Sequence, residues 1–138
     1  MNFRFKGFTL LELLVALVIL GLIAGVVAPR VMKHVGASKT RTAALQVEEL
    51  ANALETFRLE CDFYPSTQEG LEALVKRPAG AARWNGPYLR KTVVPKDPWG
   101  REYRYRHPGE HGAYDLWTFG ADDREGGDGE ASDIVSWR

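Results

Sequence analysis

The sequence is poor in the residues on which disulfide scaffolds and most metalloenzymes depend. It has one cysteine, Cys61, in 138 residues. An internal disulfide and a cysteine-rich zinc site are therefore excluded. Three histidines, His34, His107 and His111, leave little for a histidine-based metal centre. Net charge is missing too, with 18 Lys+Arg against 18 Asp+Glu. That balance argues against a globally basic nucleic-acid binder, and no nucleic-acid partner is expected. No nucleophile–base pair stands near His107 or His111, and Cys61 falls on an apolar helical face. A membrane-anchored enzyme thus lacks a catalytic constellation, and the chain is not expected to be an enzyme. The length suits one domain.

What the sequence has is concentrated apolarity. Residues Phe8 to Pro29 form a run of 22 with a single charge, Glu12. Roughly 20 apolar residues in helix cross a bilayer core. The run is too long, and lacks the small-residue cleavage site, for an ordinary secretory signal. Arg4 and Lys6 precede it. Positive charge stays on the cytoplasmic side, so the N-terminus is expected in and the bulk of the chain out. Glu12 is the anomaly, because a carboxylate in hydrocarbon costs roughly 2.5–3.5 kcal/mol even on lenient scales. Either it reaches headgroups or is protonated, or it meets a positive partner in the membrane or in an assembly.

Beyond the run, Ala43, Val47, Leu50, Leu54, Phe57 and Cys61 recur at spacings of 4, 3, 4, 3 and 4. That is one face of an amphipathic helix. The pattern predicts one helix from about Phe8 to Phe63, roughly 80 Å long at 1.5 Å per residue. Pro29, Gly21 and Gly25 are candidate kinks within it. A coiled coil is the rival for its second half, which is short and rich in alanine. Tyr64-Pro65 is expected to end the helix. Ser66-Thr67-Gln68-Glu69 has the form of a capping box, predicting a short helix that buries Leu71, Leu74 and Val75. Arg77 to Asn85 reads as loop. From Gly86 the pattern is β: Tyr88-Leu89 and Thr92-Val93-Val94 as short extended pieces, Asp97-Pro98-Trp99-Gly100 as a turn, Glu102–Arg106 and Tyr114–Phe119 as a hairpin, and Ile134–Trp137 as a closing strand. The predicted fold is α+β, a long N-terminal helix packed by its second half on a small antiparallel sheet.

Between Phe119 and Ile134 the chain reads GADDREGGDGEASD, with six acidic residues, one basic residue and four glycines. A solvated acidic loop and a loop closed by a hard cation fit this composition equally. Calcium accepts six to eight oxygen ligands in flexible geometry, and magnesium is more demanding. The spacing is not that of an EF-hand. Arg101, Arg104 and Arg106 form a basic stripe whose default is a solvated strand face.

The string Lys6-Gly7-Phe8-Thr9-Leu10-Leu11-Glu12 resembles the signal of type IV pilins and pseudopilins. The resemblance implies a prepilin peptidase cutting between Gly7 and Phe8, N-methylation of Phe8, and a Glu12 that neutralises the N-terminal amine of a neighbouring subunit. Tyr64 to Leu74, Asp97-Pro98-Trp99-Gly100 and the region from Tyr114 to Ile134 resemble the major-pseudopilin family of the type II secretion system. A pilin-like fold follows, with residues 1–7 as leader, 8–30 as transmembrane assembly helix and 31–138 as a periplasmic head. The implied function is a homopolymer that drives export of folded proteins from the bacterial inner membrane. Minor pseudopilins, an inner-membrane platform, a cytoplasmic ATPase and membrane lipid would be its partners. A type IV pilus subunit for adhesion, motility or DNA uptake is the alternative, which the missing cysteine pair and the acidic glycine loop oppose. The same resemblance implies one Ca2+ in the loop at 120–133. Asp122 and Asp133 are the best-matched side chains. Ser132 stands where some relatives carry a second aspartate, Asp128 is its substitute, and carbonyls near Phe119 and Arg124 would complete the shell. Asp123 is expected to face solvent.

Overall fold

A computed structural model of the chain describes residues 7–138. Arg4 and Lys6, which precede the apolar run, lie outside the described residues. The chain divides into two compact units, Met1–Val35 and Gly36–Arg138.

Helix α1 runs from Leu10 to Cys61, 52 residues. Its start is set by Thr9, whose Oγ1 accepts the Glu12 amide at 3.2 Å, while the Thr9 carbonyl accepts the Leu13 amide at 3.2 Å. A threonine there satisfies one of the amides that a first helical turn leaves unpaired. Pro29 lies inside the helix, which continues through it and through Gly21 and Gly25. One proline in an otherwise apolar helix removes a single backbone hydrogen bond. In the first unit the apolar side chains are bare: Leu10 is 88% exposed and Leu17 69%. By length and composition this helix can cross a membrane.

The helix ends earlier than Tyr64-Pro65 would suggest. Asp62 adopts φ 68°, and its amide still bonds the Arg58 carbonyl at 2.8 Å. A left-handed residue just past the last turn is an ordinary helix stop, and aspartate tolerates it better than most. The Ser66–Glu69 box forms: Glu69 Oε2 accepts the Ser66 amide at 2.8 Å, and Ser66 Oγ accepts the Glu69 amide at 3.2 Å. The helix after it is a 3-10 turn, Gly70–Leu74. It buries Leu71, Ala73 and Leu74, while Val75 stays half-buried. The three-residue period places Leu71 and Leu74 on one side, which an α-turn would not do as closely.

The sheet has three antiparallel strands in sequence order: β1 (Arg104–Arg106), β2 (Asp115–Thr118) and β3 (Ile134–Val135). Tyr105 pairs with Leu116, and Thr118 with Ile134. The expected extended pieces at Tyr88-Leu89 and Thr92–Val94 are not strands. Prolines at 87 and 95 deprive that segment of amide donors; Leu89 packs into the core, and Lys96, just beyond the segment, makes an isolated bridge to Glu102.

In the second unit all six residues of the predicted helical face are buried, with Ala43, Leu50, Leu54 and Phe57 at 0% exposure. They meet Leu71, Leu74, Leu89, Tyr103, Leu116 and Ile134 in one cluster. Each large side chain there contributes roughly 1.5–3 kcal/mol. Tyrosine hydroxyls at the margin donate back: Tyr103 to Gln46 Oε1 at 2.6 Å, Tyr88 to Glu60 Oε2 at 2.5 Å, and Tyr105 to the Pro65 carbonyl at 2.8 Å. Burial pushes the Tyr103 and Tyr105 hydroxyls up. They stay neutral donors; Tyr103 ties the sheet region to α1 at Gln46, and Tyr105 ties β1 to the segment after the helix at Pro65.

Candidate functional site

Two sites follow from the residues, one at each end of the sequence. At the N-terminal end Gly7, Phe8 and Glu12 are all exposed, Phe8 at 77%. Glu12 is the third helical residue after the Thr9 cap. Thr9-Leu10-Leu11-Glu12 thus repeats the spacing of a capping box, a signal the sequence analysis left unused. A carboxylate in the first turn is favoured by the positive end of the helix. Glu12 is therefore supported by local structure as well as being available to a partner.

At the other end, β2 delivers the chain into a 3-10 turn, Gly120–Asp122, and a second 3-10 turn, Gly129–Ala131, returns it to β3. The two turns lie face to face. Gly120, at φ 70°, sits so close to the returning chain that a Cβ there would stand 2.6 Å from the Glu130 carbonyl oxygen and 2.8 Å from that of Ser132. Gly127, at φ 90°, abuts the Ala131 carbonyl in the same way, at 2.6 Å. Glycine at these two positions lets the loop fold back on itself, with the Glu130, Ala131 and Ser132 carbonyl oxygens brought against it.

The implied ligands are placed as follows. Asp133 Oδ2 accepts the Gly126 amide at 2.9 Å, and its Oδ1 is buried with no hydrogen-bond partner. A buried, unpartnered carboxylate oxygen is costly unless something positive meets it. Asp122 is exposed, its Oδ1 accepting the Arg124 amide at 3.2 Å. Ser132 Oγ donates to the Gly129 carbonyl at 2.9 Å, and Asp128 is exposed. Among the described residues no three Asp, Glu, His or Cys side chains converge. The orphaned Asp133 oxygen and the carbonyl cradle are what fit a hard cation here; a shell would draw on Asp133 and Asp122 and otherwise on carbonyls.

The arginine stripe is partly exposed, and all three of its side chains are paired with carboxylates. Asp123 is exposed, as expected, and also accepts a hydrogen bond from Arg104 Nη2 at 3.1 Å. Arg106 donates to the buried Asp115 at 2.8 Å and to Glu110 at 2.5 Å. Burial alone would push the Asp115 carboxyl up. The Arg106 guanidinium and the amides of Glu110 and His111 outweigh it and hold the group well below the usual carboxylate range. His111 lies flat on Trp137, ring centroids 4.2 Å apart, and its Nδ1 is 3.2 Å from Asp115. Arg101 donates to the carbonyls of Gly120 and Ala121 at 2.6 and 2.8 Å. No local signal in the sequence points to that role, because the side chain reaches carbonyls 19 and 20 positions along the chain.

An apolar N-terminal helix behind a Gly-Phe junction, joined to a small α+β unit with an acidic loop, defines a pilin-like subunit. The family model "Type II secretion system (T2SS), protein G" matches residues 30–137, and "Prokaryotic N-terminal methylation motif" matches residues 2–28. The type II secretion system core protein G of Pseudomonas aeruginosa is 45% identical over 136 residues, 96% of this chain and 94% of that one. The protein of the same name from Vibrio cholerae is 42% identical over 134 residues, covering 95% and 90%. A crystal structure of the major pseudopilin from the type 2 secretion system of enterohaemorrhagic Escherichia coli matches with a TM-score of 0.62 and 29% identity, over 77% of this chain and 88% of that one. The chain belongs to the type II secretion system protein G family, and the type IV pilus alternative falls away.

Proposed function

We propose that the chain is processed between Gly7 and Phe8 by a prepilin peptidase, N-methylated on Phe8, and polymerised into a periplasmic pseudopilus that drives export of folded proteins. The observation that carries this reading is the pairing of an N-terminal methylation motif at residues 2–28 with a protein G match over residues 30–137. The precursor sits in the bacterial inner membrane with its head in the periplasm. Its role is structural, and no catalysis is assigned to it. The energy and the scaffold come from a cytoplasmic ATPase and an inner-membrane platform, and minor pseudopilins join the same filament. The bare apolar helix is what sister copies bury as they leave the lipid. Glu12 supports each addition by meeting the new amine of a neighbour, since two opposite charges attract strongly where water is excluded. Ca2+ closes the 120–133 loop through Asp133 and Asp122, and cancels the charge of an oxygen-rich cradle.

Co-expression with a prepilin peptidase tests the first step, and the mature mass should lose the first seven residues and gain a methyl. A chain uncut after Gly7 would end the reading. Glu12→Gln should process normally yet fail to form filament. For calcium, thermal unfolding of the full chain should shift down on chelation, because a ligand bound only by the folded state stabilises it. An unchanged midpoint rejects the ion.

A further inference from the structure

We propose that Arg101 is the positioning residue of the calcium loop: its guanidinium fork holds the loop's first turn in the backbone conformation that receives the ion. The inference rests on the calcium reading above, but its structural half stands apart from it. Arg101 Nη1 donates to the Gly120 carbonyl at 2.6 Å and Nη2 to the Ala121 carbonyl at 2.8 Å. Two successive carbonyls on one planar fork fix the direction of the intervening peptide, which a single-point donor cannot do.

The root of the side chain is itself held. The Arg101 amide donates to Asp97 Oδ1 at 2.8 Å, and the Asp97 amide donates to the Arg101 carbonyl at 2.8 Å. Asp97 is 4% exposed, and its other oxygen accepts the Thr118 hydroxyl at 2.6 Å. Thr118 ends β2, two residues before Gly120. One buried carboxylate therefore locks both the arginine and the strand that feeds the loop. The fork then spans the remaining gap to Gly120, the glycine pressed against the Glu130 and Ser132 carbonyls.

Two consequences follow. The Gly120 and Ala121 oxygens each give one lone pair to the fork, which leaves one on each and fixes where it points. And a cation is placed beside a cation site, where simple repulsion would lower affinity. Positioning and repulsion thus predict opposite signs. If the charge dominated, Arg101→Gln would bind calcium more tightly and Arg101→Lys about as well as the parent. If the fork dominates, both substitutions weaken binding, by about 10- to 100-fold, the usual cost of losing a group that orients a metal's ligands.

The experiment compares full-length parent, Arg101→Lys and Arg101→Gln in detergent. Calcium affinity is measured by calorimetric titration at a temperature where all three are folded. Amide exchange over residues 120–133 is measured in chelator. The expected result is weaker calcium binding in both variants together with faster exchange in the metal-free loop. Binding as tight as the parent's in either variant overturns the positioning role, as does unchanged exchange whatever the titration gives. If the parent itself binds no calcium, the calcium reading fails, and exchange alone judges the clamp: faster in the variants upholds it, equal removes it.

Discussion

Gly120→Ala is the sharpest test of the folded loop. At φ 70° an alanine enters the left-handed region, which costs an L-residue roughly 1–2 kcal/mol. Its methyl would lie 2.6 and 2.8 Å from two carbonyl oxygens. Those are backbone atoms, so the returning turn must move as a unit, and overpacking of this kind adds about 1–3 kcal/mol. The sum is about 2–5 kcal/mol. For a folded unit of this size each kcal/mol is about 4 °C in Tm, so the midpoint should fall by about 8–20 °C. Near-UV circular dichroism of the full chain in detergent reads it, because Trp117 and Trp137 flank the loop. A loss below about 0.5 kcal/mol, the scale of an ordinary surface change, would refute the argument that the loop is folded tightly around Gly120.

Gly36→Ala should behave oppositely. A methyl at Gly36 would overlap the Glu130 side chain from its carboxylate back to Cγ. That side chain is exposed and can rotate aside, and helix propensity then adds up to about 1 kcal/mol of stability in chemical denaturation; a destabilised variant would mean that Glu130 is fixed there. In acid, Asp115 sets the limb. Its folded pKa lies below the ordinary value, so the unfolded chain takes up protons first, and stability should decline as pH falls from about 4. Asp115→Asn should flatten that limb in a pH series of denaturant midpoints. In base, burial pushes Tyr114 up to about 12. The unfolded tyrosine ionises near pH 10, so stability is full below about 10 and is lost between about 10 and 12. Tyr114→Phe should remove part of that loss, followed by tyrosinate absorbance.

The amphipathic face and the acid placed in the apolar run were legible in sequence because each depends on local spacing. Ala43 through Cys61 needed only the helical period, and all six are buried. Strands were harder. Thr92-Val93-Val94 has strand-like residues, but Val93 is 67% exposed, because a strand exists only where a neighbour offers its backbone groups. The loop was read in composition and missed in shape: four glycines signalled freedom, and in the fold Gly120 and Gly127 serve close approach.

The sequence by itself determined the apolar helix, the Gly7–Phe8 junction, the heptad-like face of α1 and the Ser66–Glu69 capping box, since each depends on residues a few positions apart. Only the tertiary structure decided that Arg101 reaches Gly120 and Ala121, that Arg104 takes Asp123, and that one Asp133 oxygen is buried without a partner. The arginine pairings join residues 19 or 20 positions apart, where long side chains choose among many acceptors and only the packed backbone leaves one within reach.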